Sequence, residues 1–350
     1  MERHPFCLVF QNEIKRYSGR HDLKGNAQIK LIILLFAKTH NFSLSLHSIK
    51  NSLLKTNTIT LKSVFLDFKE ITKAGLAISV VFSSIVGYLL GFSDKNPFSF
   101  TTLLLLAIGG YCMVGASNIF NQVIEKDLDA KMDRTKNRPV PSGRMSVNNA
   151  LALGFVLTFI GLVVLYFINP KTAMFGAISI FMYVSLYTPL KTLTPLSVFV
   201  GAFPGAIPFM LGWVAATGDF GIEAGTLFLI QFFWQFPHFW AIGWFLFEDY
   251  EKAGFFMLPT GKKDKKTAIQ IILYTFWLMV ASVLPAFGFT GKLQLSVIGA
   301  IAVLFLGAWM MYWAFKLYKN MDAKTAKKLM LVSVTYITLL QIIYVIDKFV

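Results

Sequence analysis

Cysteine and charge are both scarce in this chain. Only Cys7 and Cys112 occur among its 350 residues. They lie far apart, which argues against a disulfide framework and against a cysteine-based metal site. Charged residues make up 15% of the sequence, whereas hydrophobic residues make up 55% and the mean hydropathy is +0.60. This composition excludes an ordinary soluble domain and indicates a polytopic membrane protein.

Apolar runs long enough to cross a bilayer recur along the chain. A spanning helix needs about 20 mostly apolar residues. Runs of that kind occupy residues 74–92, 100–120, 148–168, 171–190, 196–216, 224–247, 267–287, 294–314 and 328–347. We therefore predict an all-α membrane protein with nine transmembrane helices.

Acidic residues are outnumbered, with 18 Asp and Glu against 33 Lys and Arg and a net charge of +15. In a soluble protein this balance would suggest a nucleic-acid partner. With the N-terminus in the cytoplasm, the inward connections carry 17 of these cations, the outward ones carry four, and 12 precede the first span. The positive-inside rule thus predicts a multi-pass protein of the cell inner membrane, with a cytoplasmic N-terminus and a basic face towards anionic lipid. The same rule explains the positive net charge without a nucleic-acid partner.

Residues 1–62 differ from the rest of the chain. They are polar and basic, hold four of the five histidines, and contain one short apolar run, 31–37, that cannot span a membrane. We predict a weakly ordered cytoplasmic extension, an amphipathic surface segment, or an artefact of start-codon choice, since no Met lies between Met1 and Met113. Residues 63–350 form the predicted membrane domain.

The most highly charged stretch, residues 121–146, directly follows an apolar run. If Asn121, Glu125 and Asp129 lie on one helix, their i, i+4, i+8 spacing puts them on one face. Such oxygen-rich clusters suit Mg²⁺, which binds through a few carboxylates and the phosphates of a substrate. Arg134 and Arg138 follow, so residues that hold a metal and residues that hold phosphate stand together at a membrane edge.

The sixth apolar run and the loop after it carry further polar groups. His238 is the only histidine of the membrane domain, and it lies among aromatic residues near Gln231 and Gln235. Ionisable residues within spans are costly and usually functional, although a buried, hydrogen-bonded structural histidine is the alternative. Glu248 and Asp249 begin a second acidic loop, which the predicted topology places on the same face as the first. Each acidic cluster could then hold a metal that bridges one diphosphate, and the alternative is a solvated charged loop.

The fourth and fifth runs carry unusual residues at their ends and centres. Tyr187 and Lys191 fall one helical turn apart at the end of the fourth run, as interfacial anchors or as functional groups. Pro204, Gly205 and Pro208 interrupt the fifth run. They predict a kinked or broken helix with a cavity beside it.

The pattern N-x-x-x-[DE]-x-D-x-D-x-x-M-x-R-T-x-N-R-x-x-P-S-G at residues 121–143 resembles the first aspartate-rich motif of the UbiA-type prenyltransferases. Residues 68–91, 187–213 and 234–259, with the approach to the second span, resemble the haem-farnesylating branch of that superfamily. The resemblance implies a UbiA-type bundle whose active site opens at the cytoplasmic face. It also implies transfer of the farnesyl group of farnesyl diphosphate to a vinyl group of haem B, with addition of water, to give haem O. A haem A synthase or a terminal-oxidase assembly partner would receive the product.

The same resemblance assigns roles to single residues. Asn121, Glu125 and Asp129 would hold Mg²⁺ on the diphosphate, with Asp127 beside them in the catalytic set. Glu125 stands where the superfamily more often has Asp. The residues that would bind or polarise the phosphate oxygens are Arg134, Arg138, Tyr187 and Lys191.

The second acidic loop departs from the superfamily pattern of two aspartates four residues apart. It offers only Glu248 and Asp249, a form associated with the haem-farnesylating branch, and so leaves a second metal open. His238 would bind haem as an axial ligand or orienting group, or act as a base near the vinyl group. The sequence does not choose among these roles.

Three other functions compete with haem farnesylation. The first is prenylation of an aromatic acid, a quinone precursor or a chlorophyll precursor. The second is a cation or lipid-phosphate transporter, but transporters commonly show internal repeats and midplane ionisable residues, and here the acids cluster at one face. The third, a non-catalytic oxidase assembly factor, would not need two acidic motifs beside a set of Arg and Lys.

Overall fold

A computed structural model describes residues 61–350, and apart from one isolated bridge between Ser93 and Asn96 all regular secondary structure there is helical. Predictions for residues 1–60 lie outside the described residues. The α-helices are α1 (Leu61–Ile71), α2 (Ala74–Gly91), α3 (Phe100–Ile124), α4 (Lys126–Asp129), α5 (Val147–Tyr166), α6 (Pro170–Phe181), α7 (Ser197–Thr217), α8 (Ile222–Phe245), α9 (Phe247–Lys252), α10 (Lys265–Val283), α11 (Val297–Asn320) and α12 (Ala323–Phe349). A π-helical segment, Met182–Tyr187, and a short turn, Thr188–Leu190, extend α6, and a 3₁₀ turn, Leu284–Phe287, extends α10.

Polar side chains start most of the long helices. The side chain at each N-cap position accepts a hydrogen bond from the backbone N–H three residues later, which pairs one of the free amides of the first turn. Helices that start this way are capped by Ser99, Ser146, Asn169, Asp264, Ser296 and Asp322. Short polar connections therefore define where the apolar helices begin.

Eight helices of the described region are long and apolar enough to span a membrane. Each coincides, within a few residues, with one of the predicted apolar runs. The remaining run falls on α8, which has 24 residues but is not among the eight. Gln231, Gln235 and His238 are polar residues that lower its hydropathy.

Of these eight helices, α7 has the largest buried share. It continues without a break through Pro204 and Pro208, so of the two predicted forms, a kinked or a broken helix, the broken one is wrong. Proline at position 208 removes the N–H that would pair with the Pro204 carbonyl, and the Ser179 hydroxyl donates to that carbonyl at 3.3 Å instead. A small cavity of about 30 Å³ lies beside Pro208, with room for about one water molecule.

Helices α2, α7, α8 and α12 contact one another in a closed cycle, because α2 packs on α7 and α12, and α8 packs on the same two helices. The Gln341 amide of α12 donates to Ser83 of α2 at 3.0 Å. Two turns later, at the C-terminal end of α12, the Lys348 ammonium donates to the Leu90 and Phe92 carbonyls that end α2, at 2.7 and 2.6 Å. Helices α3, α5 and α6 pack on one side of this cycle, and α10 and α11 pack on another.

Candidate active site

The predicted acidic residues lie at the junction of α3 and α4. Helix α3 ends at Ile124, and Glu125 separates it from α4, which ends at Asp129. The backbone N–H of Glu125 donates to the Asn121 carbonyl at 2.9 Å, and that of Asp129 donates to the Glu125 carbonyl at 2.7 Å. The four-residue spacing therefore persists across the junction. Asn121, Glu125 and Asp129 are only 1%, 3% and 1% exposed.

Two predicted cations meet this acidic face from different parts of the chain. The Lys191 ammonium, after α6, donates to Glu125 Oε1 at 2.7 Å, and the Arg138 guanidinium, in the loop after α4, donates to Asp129 Oδ2 at 2.8 Å. Burial alone would lower the pKa of Lys191, but the Glu125 carboxylate outweighs burial and holds that pKa above its usual value. Lys191 therefore stays charged inside the protein.

Tyr187 lies beneath Lys191, at the end of the π-helical segment. The Lys191 ammonium is 4.6 Å from the centroid of the Tyr187 ring, within the range of a cation–π contact. The ring packs on Gly201 of α7, where an added Cβ atom would lie 2.5 Å from it. A glycine at position 201 thus leaves the space that Tyr187 occupies.

Lys73 belongs to this cluster, although the sequence prediction missed it. It lies between α1 and α2 with a left-handed backbone (φ 48°), and its ammonium donates to Asn121 Oδ1 at 3.5 Å. Burial, and then the cations of Arg138 and Lys191, lower the pKa of Lys73 to about 7. The signal in the sequence is weak, because a lysine just before an apolar run is ordinarily an interfacial anchor.

The second acidic loop reaches the first through Asp249 on α9. The Asp249 carboxylate accepts the backbone N–H groups of Asp133 and Arg134, at 2.9 and 3.4 Å. The Lys252 ammonium links the same two loops, since it donates to Asp133 at 2.5 Å and to Asp249 at 3.4 Å. The hydrogen bonds from Lys136 and Lys252 lower the pKa of Asp133 to about 2. Asp249 and Lys252 thus hold the loop that carries Arg134 and Arg138 against α9.

Three predicted residues stand apart from the buried cluster. Glu248 is exposed and pairs with Lys263, so the structure does not bring it together with Asp129. Asp127 is exposed on α4. Arg134 is also exposed, with its guanidinium 5.9 Å from the Tyr250 ring centroid.

His238 lies on α8, and among the described residues none of its contacts is with these carboxylates. Its Nδ1 atom is 2.8 Å from the Ser333 hydroxyl of α12, and its ring stacks on Trp234 with centroids 4.6 Å apart. Aromatic side chains of α8 also pack on α7, where Phe203 and Phe232 have centroids 5.2 Å apart. Helix α8 therefore presents an aromatic face to α7 and a histidine to α12.

The buried cluster fits one divalent cation. The described residues contain no group of three or more His, Cys, Asp or Glu that could hold a metal. An amide completes the oxygen set here, since Asn121 joins Glu125 and Asp129. One oxygen of that set, Asp129 Oδ1, is buried without any hydrogen-bond partner, and a buried carboxylate oxygen normally has one. Oxygen donors beside the cations of Lys191 and Arg138 and the amine of Lys73 suit Mg²⁺ and a phosphorylated ligand.

The UbiA prenyltransferase family profile matches residues 80–339. Two similar relatives are protoheme IX farnesyltransferases. The one from Flavobacterium psychrophilum is 72% identical over 83% of this chain and 96% of its own length. The one from Flavobacterium johnsoniae is 70% identical over 84% of this chain and 98% of its own length.

Two solved structures share the fold at low identity. A digeranylgeranylglyceryl phosphate synthase aligns with a TM-score of 0.67 and 19% identity over 81% of this chain and 98% of that one. A UbiA homologue from Archaeoglobus fulgidus, bound to GPP and Mg²⁺, aligns with a TM-score of 0.57 and 13% identity over 79% and 99% of the two chains. At these identities the similarity shows a shared fold.

Proposed function

This chain belongs to the UbiA prenyltransferase family, and we propose that it transfers the farnesyl group of farnesyl diphosphate to a vinyl group of haem B. The observation that carries the donor half of the proposal is the buried cluster in which Asn121, Glu125 and Asp129 meet the cations of Lys191 and Arg138. The acceptor half rests on the relatives named protoheme IX farnesyltransferase, at 68–72% identity. Their name agrees with the activity expected from the sequence motifs.

In the proposed reaction, the bond between C1 of the farnesyl group and the diphosphate oxygen breaks, and the diphosphate leaves with the electron pair. Farnesyl C1 bonds to one vinyl carbon of haem B, and water supplies a hydroxyl group to the other vinyl carbon and releases a proton. The products are haem O and diphosphate. Negative charge develops on the leaving group, so groups that neutralise it lower the barrier.

Asn121, Glu125 and Asp129 would hold Mg²⁺ in this site, and a bound ion would neutralise charge on the diphosphate. The structure of the Archaeoglobus fulgidus homologue with GPP and Mg²⁺ supports that role. Lys191 and Arg138 already lie within 2.8 Å of the acids, so their N–H donors stand next to the place where phosphate oxygens would bind. Lys73 adds a further nitrogen donor, and the Tyr187 ring packs against the Lys191 ammonium. We place Arg134 at the exposed edge of the proposed site, because its side chain is exposed.

We assign to Asp249 the role of holding the loop after α4 against α9. Both of its carboxylate oxygens already accept backbone N–H groups of the first loop, which leaves them less available to a second metal. Glu248 pairs with Lys263 and has no part in the proposed donor site.

The protein is a multi-pass membrane protein, and we propose that α8 is a ninth span. With 24 residues it is about 36 Å long, which exceeds the hydrocarbon thickness of about 30 Å. The distribution of Lys and Arg supports a cytoplasmic N-terminus, a cytoplasmic opening of the site and placement in the inner membrane. A haem A synthase or an oxidase assembly partner as the receiver of haem O is part of the same proposal.

The test is to incubate membranes that contain the protein with haem B, farnesyl diphosphate and Mg²⁺, with and without a chelator, and to separate the haems by chromatography and mass. We expect a new haem, heavier by a farnesyl group and one water, that is absent with the chelator. If no such haem forms, while farnesyl diphosphate is consumed with a phenolic acid, the acceptor half is wrong and the donor half stands.

A further inference from the structure

His238 is fixed at one ring nitrogen by Ser333. The Ser333 hydroxyl donates to the Met330 carbonyl of its own helix at 2.7 Å, and His238 Nδ1 lies 2.8 Å from the same hydroxyl oxygen. A serine hydroxyl has a single proton to donate, so its oxygen must accept from the histidine. Nδ1 therefore carries the proton, and the neutral ring has its lone pair on Nε2.

The other ring nitrogen, Nε2, is left without a partner. No hydrogen bond within residues 61–350 reaches it, and it is not among the buried side-chain atoms that lack a partner there. The His238 side chain as a whole is half-buried. A purely structural histidine in an apolar span would be expected to pair both nitrogens, because an unpaired polar atom is costly there.

Two further contacts fix the orientation of the ring. Trp234, one turn earlier on α8, stacks on the imidazole with an interplanar angle of 19°. The Trp234 indole N–H donates to the Ser333 backbone carbonyl at 2.7 Å, so the same residue of α12 holds both rings. Phe239 packs edge-on against the imidazole at 5.4 Å between centroids. The direction of Nε2 is thus determined by the packing of α8 on α12.

We propose that Ser333 is a positioning residue which makes His238 Nε2 a ligand for the iron of the haem substrate. The proposal deepens the proposed function, and it rests on haem B being the acceptor. Metal-binding histidines characteristically donate the N–H of the second ring nitrogen to a neighbouring oxygen, which fixes both tautomer and orientation. The Ser333 hydroxyl is that oxygen here. Ligation through iron would hold the porphyrin by its centre and leave the vinyl edge free to react.

The test uses the full-length protein in detergent with ferric haem B and no farnesyl diphosphate. The variants are His238→Ala, Ser333→Ala and Ser333→Thr, with Thr335→Ala as the control. Thr335 is exposed on the same helix and bonds only the Leu331 carbonyl. The readouts are the dissociation constant of haem, its Soret absorption and its electron paramagnetic resonance spectrum.

We expect His238→Ala to abolish the nitrogen-ligand signature and added imidazole to restore it. Ser333→Ala should weaken haem binding about 10- to 100-fold, the usual effect of removing a partner of a metal-binding histidine. Ser333→Thr keeps the hydroxyl and should recover most of the affinity, and Thr335→Ala should match the unmodified protein. Metal-free protoporphyrin IX should bind all variants equally, since it has no iron to ligate.

Spectra and affinities of His238→Ala that match the unmodified protein would overturn the ligand assignment. A loss in His238→Ala with none in Ser333→Ala would overturn the role of Ser333. Both outcomes are separable from failure of the proposed function, because formation of haem O by the unmodified protein is measured in the same preparation. If that product never forms, the acceptor is wrong whatever the spectra show.

Discussion

At the scale of single residues, the two carboxylate oxygens of Asp129 have unequal surroundings. Oδ2 accepts from Arg138 at 2.8 Å, whereas Oδ1 is buried without a partner. Leaving such an oxygen unpaired costs about 1–3 kcal/mol or more. A bound cation would remove that cost, so we expect the protein to become more resistant to heat when Mg²⁺ binds.

Asp129→Asn should reduce turnover by at least about 100-fold while the protein still inserts, since the change removes charge from a fully buried oxygen ligand. Asp127→Asn is the matched comparison, because that carboxylate lies two residues away and is exposed. We expect it to cost much less. Haem O formation measured across a Mg²⁺ titration gives both results, and equal losses would remove the distinction between the two acids.

Lys73→Met should raise the KM for farnesyl diphosphate about 10-fold, because a nitrogen donor next to Asn121 is lost from the donor site. Lys69→Met is the control, since Lys69 is exposed one turn earlier and its ammonium, among residues 61–350, lies only over the Phe65 ring. Steady-state kinetics with varied farnesyl diphosphate separates the two variants. An unchanged KM in Lys73→Met would make Lys73 a structural residue.

The acidic residues could be predicted from the sequence because the spacing of Asn121, Glu125 and Asp129 is a local helical property. Lys73 could not be found in that way. It reaches Asn121, 48 positions away, only through the packing of helices on each other. Similarly, no periodicity could indicate that Ser333, 95 positions from His238, would hold its ring.

At the scale of elements, α9 and the loop after α4 act as one unit. Asp249→Asn removes the charge that holds the N–H groups of Asp133 and Arg134, so the loop should loosen. We expect the KM for farnesyl diphosphate to rise about 10-fold, as follows from losing about 1.4 kcal/mol, with no change in the Mg²⁺ concentration for half-maximal activity. Glu251→Gln, an exposed change on the same helix, is the control.

A shift of the Mg²⁺ requirement in Asp249→Asn would instead assign this carboxylate to a metal. Hydrogen exchange of residues 130–138 gives a second measure of the loop, and it should speed up in Asp249→Asn alone.

Helices α2 and α7 touch through their backbones. A Cβ atom on Gly212 would lie 1.9 Å from the Ser84 carbonyl oxygen and 2.4 Å from the Tyr88 nitrogen. Gly212→Ala should therefore destabilise the bundle by about 1–3 kcal/mol or more, since backbone cannot yield as a side chain does. Gly225→Ala on α8 has nothing within 4 Å and should be neutral or slightly stabilising.

The measurement for this pair is unfolding in detergent, followed by loss of helical circular dichroism. Unchanged stability of Gly212→Ala would show that α2 and α7 are further apart than the structure has them.

The position of the helices follows from the sequence, whereas their continuity does not. Apolar runs and capping residues are local, so the limits of the spans are predictable to within a few residues. The breaking effect of Pro204 and Pro208 is local too, but Ser179 of a neighbouring helix pairs with a carbonyl that they free. Gln235 of α8 donates to the Ala202 carbonyl in the same region, at 2.8 Å. These partners come from the fold and are not visible in the sequence of α7.

At the scale of the whole molecule, the proposed topology puts both acidic loops on one side of the membrane. Single cysteines at Lys131→Cys and Lys262→Cys should react with an impermeant maleimide from the cytoplasmic side, and Asp94→Cys should react from the other side. All three positions are exposed. The background is Cys7→Ser, and the buried Cys112 is retained.

Labelling is compared in inside-out and right-side-out vesicles. Reaction of positions 131 and 262 from opposite sides would contradict a single cytoplasmic opening. It would also remove α8 as a span, because one crossing fewer separates the two loops.

The closed cycle of α2, α7, α8 and α12 joins helices that are synthesised at different times. Lys348 and the Leu90 carbonyl that it binds are 258 residues apart. A ribosome that adds about 5–20 residues per second needs roughly 13–50 s to travel that distance. During this interval α2 can pack on α3 and, once it has been made, on α7, but it lacks α12. The bundle is therefore completed only when its last helix enters the membrane. Until then the face of α2 that will contact α12 is uncovered, and a translocon or chaperone would have to protect it.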